Sequence, residues 1–104
     1  MDQPHRTLGI DVGSTNVKAC LLVDGREEWS AVRAHEGDLR SAVHAVLSGH
    51  ALAAGTRTLV TGQEGRSQFR LASVIEPVAV ERALQILDAD VCAVVSVGGE
   101  DLVV

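Results

Sequence analysis

The sequence predicts an α/β fold: a mixed five-stranded sheet with helices packed on it, in the element order βββαβ(β)αβ. Three observations carry this expectation. Hydrophobic residues make up 46% of the 104 residues while aromatics make up only 2%, so the interior must be filled by Val, Leu, Ile and Ala, the usual filling of sheets covered by helices. Short apolar runs joined by turn formers come first, which gives antiparallel hairpins. Apolar runs alternating with helical periodicity follow, which gives crossover connections. The length allows one domain with a single core, so a second domain has to be sought elsewhere.

The elements follow in order. Residues 7–12 form a short apolar run, and 11–16 supply turn formers before a second apolar run at 17–23. Asp24-Gly25 is the strongest hairpin signal in the chain, because a type I′ turn needs the positive φ angles that Asp and Gly tolerate. A third strand at about 28–33 should therefore run antiparallel to the second, with Trp29 in the core. Asp38 reads as an N-cap, Leu39, Ala42, Val43, Val46 and Leu47 recur at helical spacing, and Gly49 can end that helix. Residues 57–61 read as a strand, Gly62-Gln63-Glu64-Gly65-Arg66 as a loop, and 71–75 as a short strand. Pro77 suits a first helical turn, with Glu76 beside the helix N-terminus, and Val80, Ala83, Leu84 and Leu87 form the expected buried stripe. The run 91–97 reads as a buried parallel strand ending in Gly98-Gly99-Glu100-Asp101. Cys20 and Cys92 each fall inside a predicted strand and read as reduced core thiols.

Charge and composition exclude several classes. The formal net charge is −5 and no run of Lys or Arg occurs, so no footprint for nucleic acid is present. No apolar run approaches the roughly 20 residues that span a bilayer, and MDQPHRTL lacks the features of a secretion signal. A cytoplasmic location is expected, with no membrane partner. His5, His35, His44 and His50 are scattered without the converging spacing of a zinc site, and no Ser-His-Asp set, Cys-His pair or Walker-type lysine loop appears.

Two glycine loops are the candidate sites. In Asp11-Val12-Gly13-Ser14-Thr15-Asn16, Gly13 lets the backbone approach an anion, Ser14, Thr15 and Asn16 offer hydroxyl or amide donors, and Lys18 supplies a positive charge. A carboxylate repels bare phosphate, so Asp11 makes sense if hydrated Mg²⁺ lies between them. Read alone, the same residues also serve as a hairpin whose polar groups satisfy the turn. Gly98-Gly99-Glu100-Asp101 lies at the carboxyl end of the last expected strand, where open α/β sheets bind ligands; its acidic residues can orient water or a metal. A Gly-Gly turn after a strand is common, and the pairing of the two loops is what raises both, because they can face each other across the β- and γ-phosphates.

These residues resemble a family. LGIDVGSTNVKACLLVDG, residues 8–25, resembles the first phosphate motif of the superfamily of acetate and sugar kinases, heat-shock chaperones and actin. It is most similar to the version in the ATPases that activate 2-hydroxyacyl-CoA dehydratases and benzoyl-CoA reductases. VTGQEGR, residues 60–66, resembles that family's Thr-Gly loop, and VVSVGGEDLVV, residues 94–104, its second phosphate motif. The resemblance implies an actin-like, ribonuclease H-like half-domain: the N-terminal lobe of an ATPase, with the C-terminal lobe absent from these residues. It implies ATP and Mg²⁺ as cofactors and Asp11 as the catalytic position, ordering Mg²⁺ through water. Gly13, Ser14 and Thr15 would contact phosphate, supported by Asn16 and Lys18, while Gly98 and Gly99, with Asp101 beside them, would meet the γ-phosphate. The complete protein would be a homodimer holding a 4Fe–4S cluster between subunits, with cluster ligands outside this chain. It would drive a low-potential electron into a dehydratase or reductase partner.

The match has departures. Ser96 stands where the family usually has an acidic residue, Glu100 where Gln is common, and the Thr-Gly loop is one residue longer. One lobe cannot enclose a nucleotide, so negligible turnover is expected of this lobe alone. Two alternatives remain open at this stage. One is the N-terminal lobe of a sugar or small-acid kinase of the same superfamily, and the other is a non-catalytic actin-like scaffold, for which Ser96 speaks.

Overall fold

The computed structural model describes residues 3–50, 52–62, 72–74, 76–87, 96–97 and 102–103. In chain order the elements are β1 (Arg6–Val12), β2 (Asn16–Val23), β3 (Arg26–Ala34), α1 (Leu39–Leu47), β4 (Arg57–Thr61), β5 (Ala72–Ser73), α2 (Glu76–Leu87), β6 (Ser96–Val97) and β7 (Leu102–Val103). The first four strands stand in the spatial order β3-β2-β1-β4, and the two-residue β5 extends the sheet beyond β4. The sheet is mixed: β1 pairs antiparallel with β2 and parallel with β4, and β2 pairs antiparallel with β3.

Local chemistry explains the hairpin half. Asp24 and Gly25 take φ angles of 50° and 79°, as a type I′ turn requires, and Val23 faces Arg26 across it. The third strand is longer than expected, beginning at Arg26, because a two-residue turn lets pairing start at once. Asp38 caps α1 by accepting the Ser41 N–H at 3.2 Å, and Gly49 follows the helix with φ 84°, the left-handed residue with which helices commonly stop.

The side-chain period of two assigns every strand residue to one of two faces. Leu8, Ile10 and Val12 of β1, Val17, Ala19 and Leu21 of β2, and Val60 of β4 share one face. With Leu39, Ala42, Val43 and Val46 of α1 they make the core. Leu8, Val12, Val17 and Val60 are the most deeply enclosed, and each such side chain contributes roughly 1.5–3 kcal/mol by leaving water. The opposite face carries Gly9 and Asp11, Lys18 and Cys20, Ser30 and Val32, and Leu59 and Thr61.

Several expectations are corrected. Cys20 lies on the face opposite the core and is half-buried, because its neighbours Ala19 and Leu21 take the inward positions. Trp29 packs at the edge of the core, where its ring stacks on His50 with centroids 3.9 Å apart. The expected stripe of α2 is only partly covered: Val80 and Leu84 are half-buried, Ala83 is exposed and Leu87 is 72% exposed, since periodicity specifies which residues share a face but not what covers it. The expected last parallel strand lies mainly outside the described residues. Its final two residues, Ser96 and Val97, pair antiparallel with Val103 and Leu102 in a separate two-stranded ribbon. Cys92 and the loop positions 63–66 also lie outside the described residues. Among the described residues, no helix is long and apolar enough to cross a membrane.

Candidate functional site

The first glycine loop sits at the tip of the β1–β2 hairpin, at the end of the central strand. Asp11 is the middle of a three-strand row: its register partners are Lys18 on β2 and Thr61 on β4. All three fall on the face away from the core, because they alternate with Ile10, Val17 and Val60. Asp11 is half-buried and Lys18 exposed, so a carboxylate and an ammonium share one row of the sheet. The Thr61 hydroxyl is buried and has no hydrogen-bond partner among the described residues. A hollow of about 480 Å³ runs along this face, lined in part by Gly9, Asp11, Lys18, Cys20 and Thr61. Burial, and secondarily the negative charge of Glu27, pushes the Cys20 thiol above its ordinary range, so it is a poor thiolate.

The tip itself is tightly made. The Gly13 N–H donates to the Asn16 carbonyl at 2.9 Å, and a Cβ on Gly13 would come within 3.3 Å of that same oxygen, which favours glycine there. The Asn16 side-chain amide donates to the Thr15 hydroxyl at 3.2 Å. Among the described residues, the Ser14 and Thr15 N–H groups, two consecutive donors at the tip, donate to no backbone carbonyl. Consecutive amides of this kind form anion-binding concavities. The amide of Gly13 is not one of them; its contribution is the turn.

Gly62 closes the site from the β4 side. Its φ is +90°, and a Cβ there would collide with the Val12 carbonyl and lie 2.8 Å from its carbon. Only glycine lets the chain leaving Thr61 lie against the end of β1. Sequence reasoning singled out this Thr-Gly segment but did not place Thr61 or Gly62 in the site. The signal was available in principle, because a strand paired in parallel with β1 and ending in Thr-Gly brings both beside Asp11.

His35, one of four histidines scattered in sequence, lies with its ring against the loop, with Nε2 3.0 Å from the Gly13 oxygen. Gly98, Gly99 and Asp101 lie outside the described residues. Of the predicted residues, the fold therefore gathers Asp11, Gly13, Ser14, Thr15, Asn16 and Lys18 around one hairpin end.

The donors present suit a hydrated Mg²⁺. A single carboxylate with an unpartnered hydroxyl beside it is an all-oxygen set, and Mg²⁺ is usually held by one or two carboxylates plus waters and phosphates. Among the described residues, no group of three or more His, Cys, Asp or Glu is placed to hold a metal alone.

No protein-family profile matches the sequence, and no curated protein matches it either. Among solved structures, the chain matches the activator of the 2-hydroxyisocaproyl-CoA dehydratase from Clostridium difficile, determined with bound ADPNP. The match has 25% identity and a TM-score of 0.59, and covers 77% of this chain and 32% of the activator. The chain thus spans about a third of that relative's length. In three dimensions as in its motifs, it is similar to an N-terminal-lobe-sized portion of a nucleotide-bound dehydratase activator.

Proposed function

We propose that this chain is the phosphate-binding N-terminal lobe of an ATPase that activates a 2-hydroxyacyl-CoA dehydratase or a related reductase by ATP-driven electron transfer. The observation that carries the reading is the likeness to an activator holding ADPNP, an ATP analogue, over 77% of this chain. The hairpin end supports the reading by its chemistry: Asp11 brings a carboxylate, and Ser14 and Thr15 bring consecutive amides, to the turn between β1 and β2. In this account the Ser14 and Thr15 amides donate to phosphate oxygens, Lys18 adds positive charge, and Asp11 orients the waters of Mg²⁺. Bound Mg²⁺ would supply charge neutralisation on the β- and γ-phosphates. By the resemblance of the second phosphate motif, Gly98 and Gly99, with Asp101 beside them in sequence, would meet the γ-phosphate, and a second lobe, contributed from outside these residues, would close over the nucleotide. The complete protein works as a homodimer with a 4Fe–4S cluster between subunits.

The test is a titration of the chain with ADPNP, with and without Mg²⁺, followed through backbone amide resonances. The Ser14 and Thr15 signals are expected to move, more strongly with Mg²⁺. Asp11→Asn should remove most of the Mg²⁺ dependence while leaving the fold intact. Resonances at 13–16 that ignore ADPNP at millimolar concentration contradict the reading and favour a scaffold.

A further inference from the structure

His35 makes four hydrogen bonds, two to the β1–β2 loop and two within the turn that follows β3. Its ring Nδ1 accepts the Gly37 N–H at 3.0 Å. A backbone amide can only donate, so in the neutral ring the proton is assigned to Nε2. Nε2 then donates to the Gly13 carbonyl at 3.0 Å, an oxygen that can only accept. The backbone N–H of His35 donates to the Thr15 carbonyl at 3.0 Å. The ring is itself held by the turn that follows β3: Glu36 and Gly37 take φ angles of 50° and 85°, and the Asp38 N–H donates to the His35 carbonyl at 2.8 Å.

The consequence follows from the planarity of the peptide bond. The Gly13 carbonyl and the Ser14 N–H belong to one rigid trans unit and point in opposite directions. Fixing the carbonyl fixes the amide. The Thr15 carbonyl and the Asn16 N–H form a second such unit. His35 therefore pins two of the peptide planes of the loop, one with its ring and one with its backbone. A carbonyl that already accepts a hydrogen bond also makes the N–H of its own unit a better donor.

We propose that His35 is a positioning residue for nucleotide binding. Its ring holds the Gly13–Ser14 peptide so that the loop offers the Ser14 N–H, and not a carbonyl oxygen, to a bound phosphate. This rests on the nucleotide reading of the site. It adds a residue 22 positions from Gly13 that the phosphate motif does not include.

Three substitutions separate the ring's two bonds. His35→Asn keeps an oxygen at the Nδ1 position for the Gly37 N–H, in the local i to i+2 pattern that Asn favours, but is too short to reach Gly13. His35→Gln restores a donor near the position of Nε2, and His35→Ala removes both bonds. The full chain and each variant are titrated with Mg-ADPNP by amide resonances, with thermal melts alongside. The expected result is that His35→Asn melts close to the unsubstituted chain yet binds about tenfold more weakly, with the Ser14 amide loosened, and that His35→Gln recovers most of the affinity. Binding by His35→Asn equal to that of the unsubstituted chain overturns the inference, as does a loss of affinity that only tracks the melting temperature across all three variants. An unsubstituted chain that ignores Mg-ADPNP overturns the nucleotide reading, and the inference with it.

Discussion

At the scale of single residues, the end of β1 is shaped by groups that permit no substitute. Gly62 combines a φ of +90° with a backbone pressed onto Val12, so Gly62→Ala carries both conformational strain and a backbone collision. A loss of stability on the order of 3 kcal/mol is expected, read as a lowered urea midpoint with an unchanged slope. Thr61 makes the opposite prediction. Its buried hydroxyl lacks a partner among the described residues, and replacing an unsatisfied polar group by an isosteric methyl is neutral or favourable. Thr61→Val should therefore gain about 1 kcal/mol in the same denaturation experiment while weakening Mg-ADPNP binding. A stability gain with unchanged binding removes Thr61 from the site. The motif residues of the hairpin tip were legible in the sequence because their chemistry is local: a carboxylate, a glycine and three small polar residues in one run. His35 was not legible, since its partner Gly13 lies across a hairpin and only the folded chain joins them.

At the scale of elements, α1 depends on its cap. The Ser41 hydroxyl and backbone N–H hydrogen-bond the Asp38 carboxylate and hold it below its ordinary range. A carboxyl whose folded pKa is depressed contributes stability that is fully present above its unfolded value of about 3.9 and is lost as pH falls through the folded value. Asp38→Ala should lower the melting temperature at neutral pH by roughly 5 °C. The gap between the two proteins should narrow on acidification below about pH 4; a gap that stays constant to pH 2 contradicts the charged-cap account. Both ends of α1 and the β2–β3 turn could be read from sequence because Asp38, Gly49 and Asp24-Gly25 act within a few residues. The parallel pairing of β4 with β1 follows from the crossover through α1. The partial cover of α2, with Val80 and Leu84 half-buried and Ala83 and Leu87 exposed, did not follow from its pattern, because these residues say which side is apolar and nothing about what lies against it.

At the scale of the whole molecule, the sheet divides its labour between two faces. One is closed by α1 and built from Leu, Ile, Val and Ala, as the near absence of aromatics suggested. The other presents Asp11, Lys18 and Thr61 in one row leading to the hairpin tip. The division costs one alternation: an inward apolar residue between each pair of outward ones. The central claim is that this tip and the Gly98-Gly99 segment meet the same phosphates. The most direct measurement replaces Mg²⁺ by paramagnetic Mn²⁺ in an ADPNP complex of the chain and records which amide signals broaden. The account predicts strong broadening at Ser14 and Thr15 and at Gly98 and Gly99 together, with the α1 signals spared. Broadening confined to one of the two segments, or spread without preference over the chain, contradicts it.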